Sequence, residues 1–203
     1  MMKLHWSPKS PYVRKVMVCA HELGLADQLV LVRSVAAMLK PNPAIMRDNP
    51  LNKIPTLILD DGSTLFDSRV ICEYLNQTAQ GPLFPKQGAD QWQALRWQAF
   101  GDGLLDALTL WRNERERPVP LGVLVDAFQT KTLASLGQLE VEAAALQTAA
   151  LSIGHITLAC ALGYLDFRFE ALGWRSHAPQ LAGWFAAMSE RPSFRATEPG
   201  FDA

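Results

Sequence analysis

The placement of proline constrains this chain more than any other feature. Eight of its 13 prolines, at positions 8, 11, 41, 43, 50, 55, 82 and 85, fall within the first 85 of 203 residues. Proline breaks helix interiors and is excluded from central strands. The first part must therefore be made of short elements, while the chain beyond residue 88 can form long helices. The spacing implies two domains, 1–78 and 89–203, joined by a linker at 79–88 that is rich in Gly and Pro.

The first part reads as strand, helix, strand, loop, hairpin, helix. Residues 11–24 form a helix with Ser10 as N-cap, Pro11 in the first turn and Gly24 at the stop. The run Leu29-Val30-Leu31-Val32 is a short strand. Residues 55–59 and 64–66 flank Asp61-Gly62, which supplies the positive φ of a tight hairpin turn. A short helix over 68–78 follows Asp67-Ser68. Beyond the linker, helices are expected at 89–116, 121–148, from Ser152 onward and at 178–190. The third of these is apolar all round and should lie inside its domain.

Composition narrows the function. A hydrophobic fraction of 49% against 19% charged residues gives a true core. A net charge of −1 argues against nucleic acid or an anionic membrane as partner. Residues 1–80 hold nine basic and seven acidic residues, a net +2, and residues 81–203 hold 10 and 13, a net −3. The first part is thus mildly cationic, which suits a small anionic ligand. Cys19, Cys72 and Cys160 are odd in number and far apart, so neither a disulfide framework nor a metal site is expected. No run reaches the ~18 apolar residues of a membrane helix, and the start lacks the apolar run of a signal peptide. A cytoplasmic setting is the expectation.

Three segments could carry chemistry. In Ser7-Pro8-Lys9-Ser10-Pro11-Tyr12-Val13 a hydroxyl sits at a helix N-terminus, where unpaired N–H groups and a partial positive charge stabilise an anion such as a thiolate. Ser10 can equally be a plain helix cap. In Asn49-Pro50-Leu51-Asn52-Lys53-Ile54-Pro55, Pro55 stands at a strand entry. A cis bond there would turn the backbone of Ile54 toward a ligand, although an ordinary trans proline also accounts for the sequence. In Asp67-Ser68-Arg69, an acid and a hydroxyl at a helix start could hold the ammonium and carboxylate of an amino-acid head group, or could simply cap the helix.

Taken in order and spacing, these segments together with Leu158-Ala159-Cys160-Ala161-Leu162-Gly163-Tyr164-Leu165-Asp166-Phe167-Arg168 resemble the glutathione transferase family over nearly the whole chain. The resemblance implies an α/β thioredoxin-like N-terminal domain and an all-α C-terminal domain. It implies glutathione as substrate, with no metal, a small hydrophobic electrophile as second substrate, a detoxifying role and a homodimer. Ser10 matches the serine that donates to the glutathione sulfur. Ile54 matches the residue before a cis-proline, here Pro55, whose backbone pairs with the cysteinyl unit. Asp67 and Ser68 match the pair that holds the γ-glutamyl head group. Lys53, and with less support Lys40, match a lysine that reaches the glycine carboxylate. Asp102 matches an acid that in related proteins reaches the partner's glutathione, and Trp111 lies on a helix that lines the electrophile pocket in the family. Glutaredoxin-type relatives place Cys-Pro-Tyr-Cys where this chain has Ser10-Pro11-Tyr12-Val13, so disulfide exchange lacks its thiolate. The alternative is a non-catalytic family member that binds or regulates.

One position departs from the family pattern. Many members have Asp three residues after the hydroxyl that caps the domain-core helix, and this chain has His155 after Ser152. A neutral His155 could still accept the backbone N–H, but its protonation would place positive charge near the positive helix end. Lower stability or acid sensitivity is expected, with His155→Asp raising the melting temperature. Trp92, Trp97, Trp111 and Trp184 read first as core or interface, and the alternation of Arg112, Arg115 and Arg117 with Glu114 and Glu116 reads as a solvated helix end.

Overall fold

The computed structural model describes residues 1–201. The chain divides into two compact units: Met1–Lys86 together with the segment from Pro192, and Gln87–Arg191.

The first unit is a four-stranded mixed sheet in the order β2-β1-β3-β4. The strands are β1 (Met2–Trp6), β2 (Leu29–Arg33), β3 (Thr56–Ile58) and β4 (Thr64–Leu65). β1 runs parallel to β2 and antiparallel to β3, and β3 runs antiparallel to β4. Helices α1 (Pro11–Glu22) and α3 (Ser68–Thr78) pack together, burying Val13, Val16, Ile71 and Leu75. The β3–β4 turn uses Gly62 at φ 85°, the left-handed conformation that glycine adopts without steric cost. Asp61 Oδ1 accepts from Ser63 N at 2.9 Å and fixes that turn.

A six-residue helix, α2 (Pro43–Asp48), lies in the segment expected to be loop. Asn42 caps it by accepting from Ala44 N at 3.0 Å. Its last residue is tied to the sheet through His5, whose Nδ1 lies 2.7 Å from Ser34 Oγ and whose Nε2 lies 2.8 Å from Asp48 Oδ2. The sequence reading placed residues 89–203 in one helical part. The segment from Pro192, with α8 (Pro192–Arg195), instead packs on α1, where Arg14 Nη2 donates to the Phe194 carbonyl at 3.3 Å.

The second unit is all helical: α4 (Gly88–Arg115), α5 (Gly122–Thr148), α6 (Ile153–Phe169) and α7 (Pro179–Ser189). From Ile153 to Leu165 every residue of α6 is buried, as its all-round apolarity requires. Its N-terminus carries a complete capping box in which His155 Nδ1 accepts from Ser152 N at 3.2 Å. The same nitrogen lies 2.9 Å from Ser152 Oγ. The imidazole ring packs edge-on against Trp97, with centroids 5.0 Å apart, and lies 6.2 Å from Trp184. The expected gain from His155→Asp is therefore reversed. A carboxylate could keep the box, but removing the ring leaves a void between two tryptophans, which costs about 2–3 kcal/mol.

Burial holds the His155 pKa below the ordinary histidine value. The Leu146 carbonyl opposes this, and the Arg191 charge adds to it. The folded state thus binds fewer protons than the unfolded state once pH drops below the ordinary value of about 6.5. Stability is held above that pH and lost as pH falls toward the depressed value. Melting curves should show a decline as pH falls below about 6.5 that His155→Asn flattens, at the cost of a lower melting temperature at neutral pH. A decline of the same steepness in the variant would remove His155 as its cause.

Candidate functional site

The register of the sheet brings the candidate segments of the first unit to one end. β1 ends at Trp6, and His5 pairs with Thr56, so Pro55 lies beside the end of β1. Leu57 pairs with Leu65, which places Phe66 and Asp67 beside the same strand entry. Trp6 pairs with Arg33, so the loop carrying Lys40 leaves from this end as well. The N-termini of α1 and α3, the entry to β3 and the exit from β2 thus share one end of the sheet.

Each side chain there has a local cause. Ser10 caps α1, its Oγ accepting from Val13 N at 3.2 Å. The cap uses an acceptor lone pair, so the hydroxyl proton can still be donated to an anion. The two readings of Ser10 are therefore compatible. Asp67 caps α3, with Oδ1 accepting from Arg69 N at 2.9 Å. Its side chain is exposed and keeps its second carboxylate oxygen for another partner. Ser68 is 2% exposed, and its hydroxyl bonds to no other described residue.

The Ile54–Pro55 bond is cis. Among the described residues the Ile54 backbone takes part in no turn, loop or ladder hydrogen bond, so its N–H and C=O are available to an extended peptide-like ligand. The loop before it is held by residues that the sequence reading missed. Asn49 is buried and donates to Thr56 Oγ1 at 2.9 Å and to the Lys53 carbonyl at 3.3 Å, while accepting from Leu51 N at 3.1 Å. Asn52 adopts φ 54° and accepts from Asn42 N at 2.9 Å. Their signal was present as asparagine in a proline-rich loop, a residue that tolerates the left-handed region and bonds its own backbone. Lys53 and Lys40 are exposed and pair with no carboxylate among the described residues. Together these groups offer a hydroxyl at the start of α1, an exposed carboxylate at the start of α3, a bare peptide unit and two cations.

The remaining candidates lie in the second unit. Asp102 is 2% exposed on α4. Trp111 is 4% exposed, its ring 4.5 Å from Phe169. Trp97 and Trp184 are likewise core, whereas Trp92 is 69% exposed. The end of α4 is not a simple solvated face. Glu114 is buried and accepts from Leu121 N at 2.7 Å, and Arg112 turns toward α6. The three cysteines are buried, and none forms a disulfide among the described residues. Among the described residues no group of acids, histidines and cysteines could hold a metal, and no helix is long and apolar enough to cross a membrane.

Comparison with known proteins agrees with this architecture. The family model for the glutathione S-transferase N-terminal domain matches residues 9–78, and that for the C-terminal domain matches residues 122–187. The chain is 30% identical over 203 residues to the uncharacterized GST-like protein YibF of Escherichia coli, covering 98% of each. A crystal structure of a glutathione transferase family member from Pseudomonas fluorescens, with bound glutathione, superposes with a TM-score of 0.94 at 43% identity, covering 99% of this chain and 100% of that one. Elongation factor 1-gamma of Carassius auratus is 27% identical over 172 residues, which is 76% of this chain but 36% of that protein. With both domain models matched and a relative similar from end to end, the chain belongs to the glutathione S-transferase family.

Proposed function

We propose that this protein binds glutathione at the sheet end of its first unit and activates the thiol for attack on a small electrophile. One observation supports this above the others: the N-termini of α1 and α3 and the bare Ile54 peptide unit lie at one end of the sheet, in a chain 43% identical to a protein that holds glutathione. In this reading Asp67 takes the γ-glutamyl ammonium, and Ser68 with the amides of α3 takes its carboxylate. The Ile54 backbone pairs with the cysteinyl unit, and Lys53 or Lys40 meets the glycine carboxylate. Ser10 donates its hydroxyl proton to the sulfur.

A free thiol has a pKa of about 8.5 and is only a few per cent ionised at neutral pH. Each unit of lowering reflects about 1.4 kcal/mol of preference for the thiolate. A charge-assisted hydrogen bond and a helix N-terminus supply energies of that order. The thiolate sulfur then forms an S–C bond, while a leaving group departs with the bonding pair or an activated alkene takes up a proton. No covalent bond to the protein forms. Exposed apolar side chains in the first unit, among them Leu39 and Leu51, give a second copy something to bury, in keeping with a homodimer.

The likeness to elongation factor 1-gamma favours a second reading, a family member that binds without catalysing. Chromatography on immobilised glutathione tests the first step. The wild type should be retained and released by free glutathione. Asp67→Asn keeps the α3 cap and removes the charge facing the ammonium, so its affinity should fall about tenfold. A wild type that flows through would sink the proposal, and equal retention of the variant would remove Asp67 from it.

A further inference from the structure

We propose that His5 is a positioning residue that makes the site prefer a tripeptide to a dipeptide, a role that rests on the glutathione reading above. His5 ties α2 to the sheet and so fixes the segment that carries Lys40, Lys53 and the Ile54 peptide unit. It acts through Asp48 and Asn49 rather than on the ligand.

Helix α2 has little else to hold it. Ile45 is its only buried residue, and a helix of six residues is not stable by itself. The chain enters α2 from the loop that bears Lys40 and leaves it through Asn49 toward Lys53 and Ile54. Any play in α2 is therefore passed to both lysines.

A buried polar network supplies the anchor. The His5 side chain lies between the exit of β2 and the end of α2, with Nδ1 2.7 Å from Ser34 Oγ and Nε2 2.8 Å from Asp48 Oδ2. A carboxylate only accepts, so the Nε2–H donates to Asp48. Asn49, the next residue, donates to Thr56 Oγ1 at 2.9 Å, and Thr56 Oγ1 donates to the Lys53 carbonyl at 2.9 Å. Thr56 is the cross-strand partner of His5, so the network closes on the strand pair from which it starts. His5, Ser34, Asn49 and Thr56 are all buried, where hydrogen bonds are stronger than in water and hold one geometry.

The anchor bears on one end of the ligand. In the proposed reading the γ-glutamyl head group and the sulfur belong to Asp67, Ser68 and Ser10, which stand at the starts of α3 and α1. The glycine carboxylate belongs to Lys53 or Lys40. Ile54 is held from its other side by β3, whereas the lysines depend on α2 and its loops. A cation already in place loses less freedom on binding and contributes more affinity. Loosening α2 thus weakens the grip on the glycine end.

Calorimetric titration of the full chain with glutathione and with γ-glutamylcysteine, which lacks the glycine, tests this role. The wild type should bind glutathione about tenfold more tightly than the dipeptide, the scale of one hydrogen bond to a charged group. Asp48→Ala and His5→Leu should each weaken glutathione about tenfold and the dipeptide no more than about twofold. The Asp48 side chain is 32% exposed, so Asp48→Ala carries the test if His5→Leu fails to fold. Asp48→Asn removes the charge but keeps an oxygen that accepts from Nε2, so it should retain the wild-type preference. In turnover, Asp48→Ala should raise KM for glutathione and leave kcat unchanged, because Ser10 is held within α1.

Equal loss of both peptides, loss of neither, a wild type without preference, or a loss in Asp48→Asn as large as in Asp48→Ala would each overturn the role of His5 and leave the glutathione reading standing. A wild type that binds neither peptide would overturn that reading, and this role with it.

Discussion

Gly154→Ala should lower the stability of the helical unit by about 3 kcal/mol, the upper end of the usual overpacking cost. A Cβ at position 154 would lie 2.6 Å from Trp97 Cβ and 2.7 Å from the Ala94 carbonyl oxygen. Neither atom is the end of a flexible side chain, so α4 and α6 would have to move apart along their most intimate contact. For a chain of this size a loss of that scale lowers the melting temperature by roughly 6–12 °C. Gly101 is a second point of approach, where a Cβ would meet Thr157 Cγ2 at 2.8 Å and the Thr157 carbonyl carbon at 2.9 Å. Gly103, two residues on, has nothing within 4 Å. Gly103→Ala should therefore raise stability by about 0.5–1 kcal/mol through helix propensity alone. Opposite signs at Gly154 and Gly103 in thermal melts would confirm that helix packing is set by these contacts. A neutral Gly154→Ala would contradict it.

The second large effect is expected at Ser10. If its hydroxyl holds the thiolate, Ser10→Ala should reduce kcat/KM for glutathione conjugation at neutral pH by about 10- to 100-fold, the worth of one hydrogen bond to a charged group. Part of the stability loss in the same variant, about 1 kcal/mol, belongs to the α1 cap. Ser10→Thr keeps both the cap and the donor, so its rate should stay within a few-fold of wild type. Loss of rate in Ser10→Thr as large as in Ser10→Ala would mean that shape, not the hydroxyl, matters there.

Most of this arrangement was legible in the sequence where local chemistry marks it. Asp67 and Ser10 cap helices that begin where their side chains imply, and Asp61-Gly62 forms the turn that its φ preference demands. What was not legible depends on partners far along the chain. Helix α2 is too short to show a period, although Asn42-Pro43 is an N-cap followed by an N1 proline. Asn49 acts through Thr56 and the Lys53 carbonyl, contacts that no spacing rule encodes. Arg112 sits in an alternating charged run, and only the register of α4 on α6 shows that it faces Tyr164. His155 read as a weak point because protonation would put a positive charge at the positive end of α6, although a neutral ring could accept the amide. A neutral imidazole nitrogen accepts the same amide, and the two tryptophans around the ring supply the packing. The return of the chain from Pro192 to α1 was hidden for the same reason, since Phe194 and Arg14 meet only in the fold.

Thiol ionisation is the property that separates a transferase from a protein that merely keeps the fold. The decisive measurement is an ultraviolet titration of the thiolate of glutathione bound to the wild type and to Ser10→Ala. The expected result is a bound thiol that ionises at least one unit below the free value of about 8.5 in the wild type, and that returns toward the free value in the variant. Glutathione that binds the wild type with its thiol unshifted, or a shift that survives the loss of the Ser10 hydroxyl, would contradict the role assigned to Ser10 at the start of α1.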